Sequence, residues 1–180
     1  MSPQLYFFVS IGFSLIAWGS LTARYIWPEL RVQQRADALR PLLTLHSFRF
    51  VGLAFLVPGV VSRDLPSAFS RAAAYGDLIA AILALLSLLS LTRGAGIVVV
   101  WVFNLWGTLD ILNAFYQANH AGLLAGQLGA AYFLPTFVVP LLLITHGMAF
   151  RILLRPQNGS VAETGPMVEN LTDDGTLSQR

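Results

Sequence analysis

Cysteine and lysine are both missing from this chain, and charge of either sign is scarce. Without cysteine there are no disulfides, thiolate metal ligands, iron–sulfur clusters or thiol nucleophiles, which removes much redox and covalent chemistry at once. Without lysine the basic complement is entirely arginine. An HExxH motif, a Walker sequence and a Ser-His-Asp grouping are absent too, so no hydrolase or ATPase signature supports an enzyme. Gly94-Ala95-Gly96 lacks the third glycine of a dinucleotide fingerprint and leads into an apolar run, so it reads as a turn. Only 11% of the 180 residues are charged while 56% are hydrophobic, and the mean hydropathy is +0.66. A water-soluble domain carries about 25% charged residues.

What the chain has in abundance is apolar runs near the ~20 residues that cross a hydrocarbon core, split by short polar stretches. The expected fold is all-α, an integral membrane bundle of about five transmembrane helices. These fall at 5–27, 42–61, 72–91, 95–116 and 128–154, forming one domain over residues 1–155. Basic residues follow rather than precede the first run, which argues for a retained anchor over a cleaved signal. Residues 28–40 read as an interfacial linker with Pro41 starting the second helix, and residues 62–71 and 117–127 read as loops. Gly122 and Gly126 fall in the latter loop, where flexibility explains them better than helix dimerisation, and His120 there reads as solvated. Pro135 and Pro140 predict a kink, because neighbouring helices can satisfy the carbonyls they free. Residues 156–180 change composition abruptly and read as a disordered cytoplasmic tail. Its triplets Asn158-Gly159-Ser160 and Asn170-Leu171-Thr172 match a glycosylation pattern that is inert in the cytosol.

Arginine placement sets the expected orientation. With the N-terminus outside, Arg24, Arg31, Arg35, Arg40, Arg93, Arg151 and Arg155 face the cytoplasm and only Arg63 and Arg71 face outward, which the positive-inside rule favours. Tyr6, Tyr75, Tyr116 and Tyr132 anchor outer helix ends, and Tyr25 and Trp27 an inner one. The sequence pI of 9.4 therefore reflects helix ends and anionic lipid, with the bilayer as partner and no nucleic acid.

Five polar residues fall inside predicted helices: Arg49, Asp77, Asn104, Asp110 and Asn113. An ionisable group at the bilayer centre costs at least ~2.5 kcal/mol, so each must face protein or water and find a partner. Asn104, Gly107, Asp110 and Asn113 step by three along the fourth helix, and Gly76, Ala80 and Ala84 form a small-residue stripe on the third, where the two helices can approach closely. At ~1.5 Å per residue Arg49 lies roughly 10 Å from the cytoplasmic side, with both aspartates in the outer half, so Arg49 can reach Asn104 and an aspartate. One reading is a buried ion triad that fixes helix register. The sharper one is a proton relay or polar-solute site, with Arg49 as counter-ion and Asp77 or Asp110 as the titrating group.

His46 and His146 form a second constellation at matching depth near the cytoplasmic helix ends, the arrangement that two axial ligands of haem b require. A lone interfacial histidine more often bonds a carbonyl or headgroup. The primary expectation is no cofactor.

The runs Phe48-Arg49-Phe50-Val51-Gly52, Tyr75-Gly76-Asp77 and Asn104-Leu105-Trp106-Gly107-Thr108-Leu109-Asp110, with Pro135, Pro140 and His146, resemble a family of small uncharacterised bacterial multi-pass membrane proteins. The likeness spans about residues 42–155. It implies a bacterial inner-membrane setting and carries no activity with it. The resulting expectation is an inner-membrane protein that moves protons or a small polar solute. An accessory subunit of a membrane complex or a homo-oligomer, and an electron-transfer haem protein, are the alternatives.

Overall fold

The computed structural model describes residues 2–156. The expected tail lies outside them apart from Pro156, as do both glycosylation triplets.

Among the described residues the bundle is built from five helical segments. Helix α1 (Pro3–Leu30) is capped by the Ser2 hydroxyl, which accepts from the Leu5 amide, and carries Pro3 at its first position, where a missing N–H costs nothing. Helix α2 (Arg35–Ser47) runs into a 3-10 segment, Phe48–Leu56. Helices α3 (Ser67–Ser90) and α4 (Gly96–His120) are joined by a tight turn, and a second 3-10 segment, Ala125–Tyr132, precedes α5 (Leu134–Leu153). Four of these, α1, α3, α4 and α5, are long and apolar enough to cross a membrane.

The second segment departs from expectation. It starts at Arg35 rather than residue 42, holds Pro41 inside α2, and changes to 3-10 winding at Phe48. The cause is the spacing of its buried face. Arg49, Gly52 and Phe55 are three residues apart and all buried. With three residues per turn they stack in one line, whereas an α-helix would rotate each about 60° away from the last. Other boundaries shift less: α3 begins at Ser67, directly after Pro66, and α5 begins after the second 3-10 segment rather than at Leu128.

The prolines are absorbed by π turns. Pro28 and Pro140 each follow a five-residue π turn, Thr22–Ile26 and Leu134–Val138. In each case the residue before the proline, Trp27 or Val139, donates five residues back, to the carbonyl of Thr22 or Leu134. Widening the turn moves aside the carbonyl that the pyrrolidine ring would strike, so both helices continue. The second π turn also anchors α1, because the Phe137 carbonyl accepts from Trp18 Nε1 at 3.2 Å and from Ser14 Oγ at 3.5 Å.

Two apolar cores form at different levels. One gathers Leu39, Leu43, Val100, Phe103, Met148 and Ile152; the other gathers Phe55, Phe69, Ala74, Leu128, Ala131 and Leu134. On every inner segment the polar residues fall between them in sequence: Arg49 between Leu43 and Phe55, Asp77 between Ala74 and Ala84, Asp110 between Phe103 and Ala114, His146 between Val138 and Met148. The first core ends at an arginine-rich cap. Arg155 Nη1 donates to the carbonyls of Leu30 and Arg31, both at 3.2 Å, and Arg35 donates to the Arg155 carbonyl. Arg151 and Arg155 lie 4.4 and 5.0 Å from the centre of the Trp27 ring.

Candidate functional site

The polar layer between the two cores is built around Arg49, whose side chain is 1% exposed. Its Nε donates to Asp77 Oδ1 at 2.8 Å, and Nη2 reaches Asp77 Oδ1 and Asp110 Oδ2, both at 2.7 Å. Nη1 donates to the Gly107 carbonyl at 3.3 Å and to His146 Nε2 at 3.2 Å. Four of the five guanidinium N–H groups donate hydrogen bonds here, and Nη2 makes a further ion-pair contact with Asp77.

The bond from Arg49 fixes the histidine chemistry. Arginine has no acceptor, so Nε2 of His146 accepts and the ring proton sits on Nδ1. Nδ1 donates to Asn104 Oδ1 at 2.7 Å, and Asn104 Nδ2 returns a bond to the His146 carbonyl at 3.3 Å. Below this lies His46, fully buried, with Nε2 2.9 Å from Thr145 Oγ1 and Nδ1 lacking a partner among the described residues.

Three glycines let these groups in. A Cβ on Gly52 would overlap the Asp77 carboxylate, and one on Gly76 the Asp110 carboxylate. One on Gly107 would stand 2.5 Å from His146 Cε1 and 2.8 Å from Arg49 Nη1. Each charged side chain therefore lies against the bare backbone of the neighbouring segment, which is what brings an arginine and two carboxylates within bonding distance.

Of the residues singled out in the sequence, Arg49, Asp77, Asn104 and Asp110 come together and Asn113 does not. Asn113 is exposed and has no hydrogen bond among the described residues. Nine residues at about 100° each place it half a turn from Asn104, so steps of three leave a common face within three positions. His46 and His146 do meet, with ring centroids 4.2 Å apart. The rings are in contact, tilted by 44°, beside Phe103, and both nitrogens of His146 are engaged by Arg49 and Asn104. That packing leaves no gap for a macrocycle, so the pair does not fit axial haem ligation.

Sequence reading missed the role of His146 as a hydrogen-bond partner of Arg49, and it missed the space beside the cluster. A cavity of about 530 Å³ has Arg49, Asp77 and Asp110 at its floor and Phe7, Phe69 and Phe115 among its walls. It extends to Gln4, Asn119 and Leu124, at the opposite end of the helices from the arginine cap. Gln4 lines that end, donating to the Leu123 carbonyl at 3.2 Å and accepting from the Ala125 amide at 3.2 Å. No periodicity in a single helix marks these residues, because the walls come from all five segments.

Fold and site together define a helical protein, with four helices long and apolar enough to cross a membrane, organised around a buried ion cluster. The chain belongs to the family described as Domain of unknown function (DUF8737), whose model matches residues 6–154. The match takes in nearly all of α1, further toward the N-terminus than the likeness over residues 42–155. No curated protein and no solved structure matches the chain.

Proposed function

We propose that this is a multi-pass protein of a bacterial inner membrane, N-terminus outside, that takes a small solute or a proton into the cavity and onto the Arg49–Asp77–Asp110 cluster as the first step of transport. The observation that carries this reading is the cavity itself: a buried ion triad that only fixed helix register would need no 530 Å³ space against it. Five crossings fit the composite second segment, since 13 α-helical residues and nine 3-10 residues extend roughly 38 Å, more than a hydrocarbon core. Clustering of Arg31, Arg35, Arg151 and Arg155 at one end supports that end as cytoplasmic. The packed core of Leu39, Leu43, Phe103 and Ile152 separates the cluster from the arginine cap, which supports access to the cavity from the end away from the cap. Alternating access would require that core to part.

A structural reading, in which the chain serves as accessory subunit or homo-oligomer in a membrane complex, draws on the internal bonding of Arg49, whose three nitrogens all donate within the protein. One experiment separates the two. In proteoliposomes containing a pH-sensitive dye, wild-type protein should dissipate an imposed proton gradient faster than protein-free vesicles, and Asp110→Asn should lose this while remaining monodisperse. Acidification at the protein-free rate would remove proton movement. A variant that unfolds, beside an inactive wild type, would leave the structural reading in place.

A further inference from the structure

The cavity floor specifies the kind of molecule it receives, and this inference rests on the cavity being a ligand site. We infer that the ligand is a small monocation, an amine or similar group on an apolar body. Three observations converge on that class.

The first is donor supply. Four of the five N–H groups of Arg49 donate to Asp77, Asp110, Gly107 and His146, and Nη2 is also in ion-pair contact with Asp77. His146 directs its proton to Asn104. An anion arriving at the floor meets a guanidinium already held between two carboxylates. The atoms left over are acceptors: Asp77 Oδ2 and Asp110 Oδ1 carry no hydrogen bond among the described residues, and they lie against the backbone of Gly52 and Gly76 without being fully covered. Their side chains keep 20% and 8% of their surface.

The second is charge. One guanidinium faces two carboxylates, and His146, held as an acceptor toward Arg49, contributes no positive charge. With both carboxyls ionised the layer holds one negative charge in excess, which an apolar interior tolerates poorly unless a cation joins it.

The third is the wall. Phe7, Phe8, Phe55, Phe69 and Phe115 line the space above the aspartates, with Gln4 and Asn119 at its far end. Aromatic faces attract a cation as well as burying an apolar body, and 530 Å³ falls within the range of small-molecule pockets. A polar cation such as a hydrated metal ion would waste those walls.

The test uses the full chain in nanodiscs and three probes that share one body: 4-phenylbutylamine, 4-phenylbutanol and 4-phenylbutyrate. Binding is measured by calorimetry on wild type, Asp110→Asn and Ala114→Trp, the last filling the cavity and reporting lipid partitioning. Wild type should bind the amine about ten-fold or more tightly than the alcohol, and the butyrate least. Asp110→Asn leaves Arg49 balanced by Asp77 alone, so its amine preference should vanish while alcohol binding persists. If Asp110→Asn does not fold, Asp77→Asn removes the same charge. Equal binding of amine and alcohol by wild type, or tightest binding of the butyrate, would overturn the cationic class and leave the cavity as a ligand site. If no probe binds wild type better than Ala114→Trp, both the class and the site reading fall.

Discussion

The carboxylate of Asp110 on α4 occupies the place where a side chain on Gly76 of α3 would stand. The two helices are therefore locked at a separation that only glycine permits, and the same carboxylate is then close enough to meet Arg49 at 2.7 Å. Adding one methyl group must displace either the helix or the ion. Gly76→Ala should destabilise the protein by about 1–3 kcal/mol, as overpacking of a tight interior does. Gly12→Ala is the control, since nothing lies within 4 Å of a Cβ there and alanine favours a helix. Denaturation in detergent followed by circular dichroism measures both, and equal midpoints for the two variants would contradict the close approach.

Arg49 gives a sharper test of how the layer is held. Removing it leaves two carboxylates facing each other in an apolar interior, and breaking a buried pair from one side costs about 3–5 kcal/mol. Arg49→Met should accordingly reduce the folded yield severely. Replacing all three groups, in Arg49→Met with Asp77→Asn and Asp110→Asn, removes the uncompensated charge and should recover much of the loss. The readout is the monodisperse fraction after size-exclusion chromatography. A triple variant as damaged as the single one would show that shape, not charge, is what Arg49 supplies.

The meeting of Arg49, Asp77 and Asp110 was legible in the sequence because an apolar solvent leaves such groups few choices, and each sits in a long hydrophobic run. Asn113 failed for a geometric reason, since steps of three drift around an α-helix. The 3-10 winding of Phe48–Leu56 was written in the same spacing that misplaced Asn113: Arg49, Gly52 and Phe55 at intervals of three stay in register only with three residues per turn. Length and hydropathy alone do not distinguish the two windings. The cavity was not legible at all, because Phe7 on α1, Phe69 on α3 and Phe115 on α4 share a wall only after the helices pack.

His146 links the ion cluster to the core beneath it. His146→Phe preserves the bulk but removes the acceptor of Arg49 Nη1 and the partner of Asn104, and a buried group left unpaired costs about 1–3 kcal/mol. His46→Phe loses only the bond to Thr145 and should cost less. Direct contact of the two rings, with centroids 4.2 Å apart, further predicts that wild type incubated with haemin and desalted shows no Soret band. A stoichiometric Soret band, abolished in His46→Phe, would show that the rings separate to admit the macrocycle.

Sidedness can be measured directly because the native chain has no cysteine, so every introduced thiol is unique. Asn119, exposed in the last turn of α4, and Arg93, exposed in the turn between α3 and α4, mark opposite ends of one helix. With the arginine cap in the cytoplasm, Asn119→Cys in intact cells or spheroplasts should react with a membrane-impermeant maleimide. Arg93→Cys should react only after permeabilisation. To avoid weakening the signal under test, Ala95→Cys in the same turn keeps every arginine and should label like Arg93→Cys. Labelling of Ala95→Cys in intact cells with protection of Asn119→Cys would invert the topology. The cavity would then open to the cytoplasm, and any solute it takes up would enter from the inside.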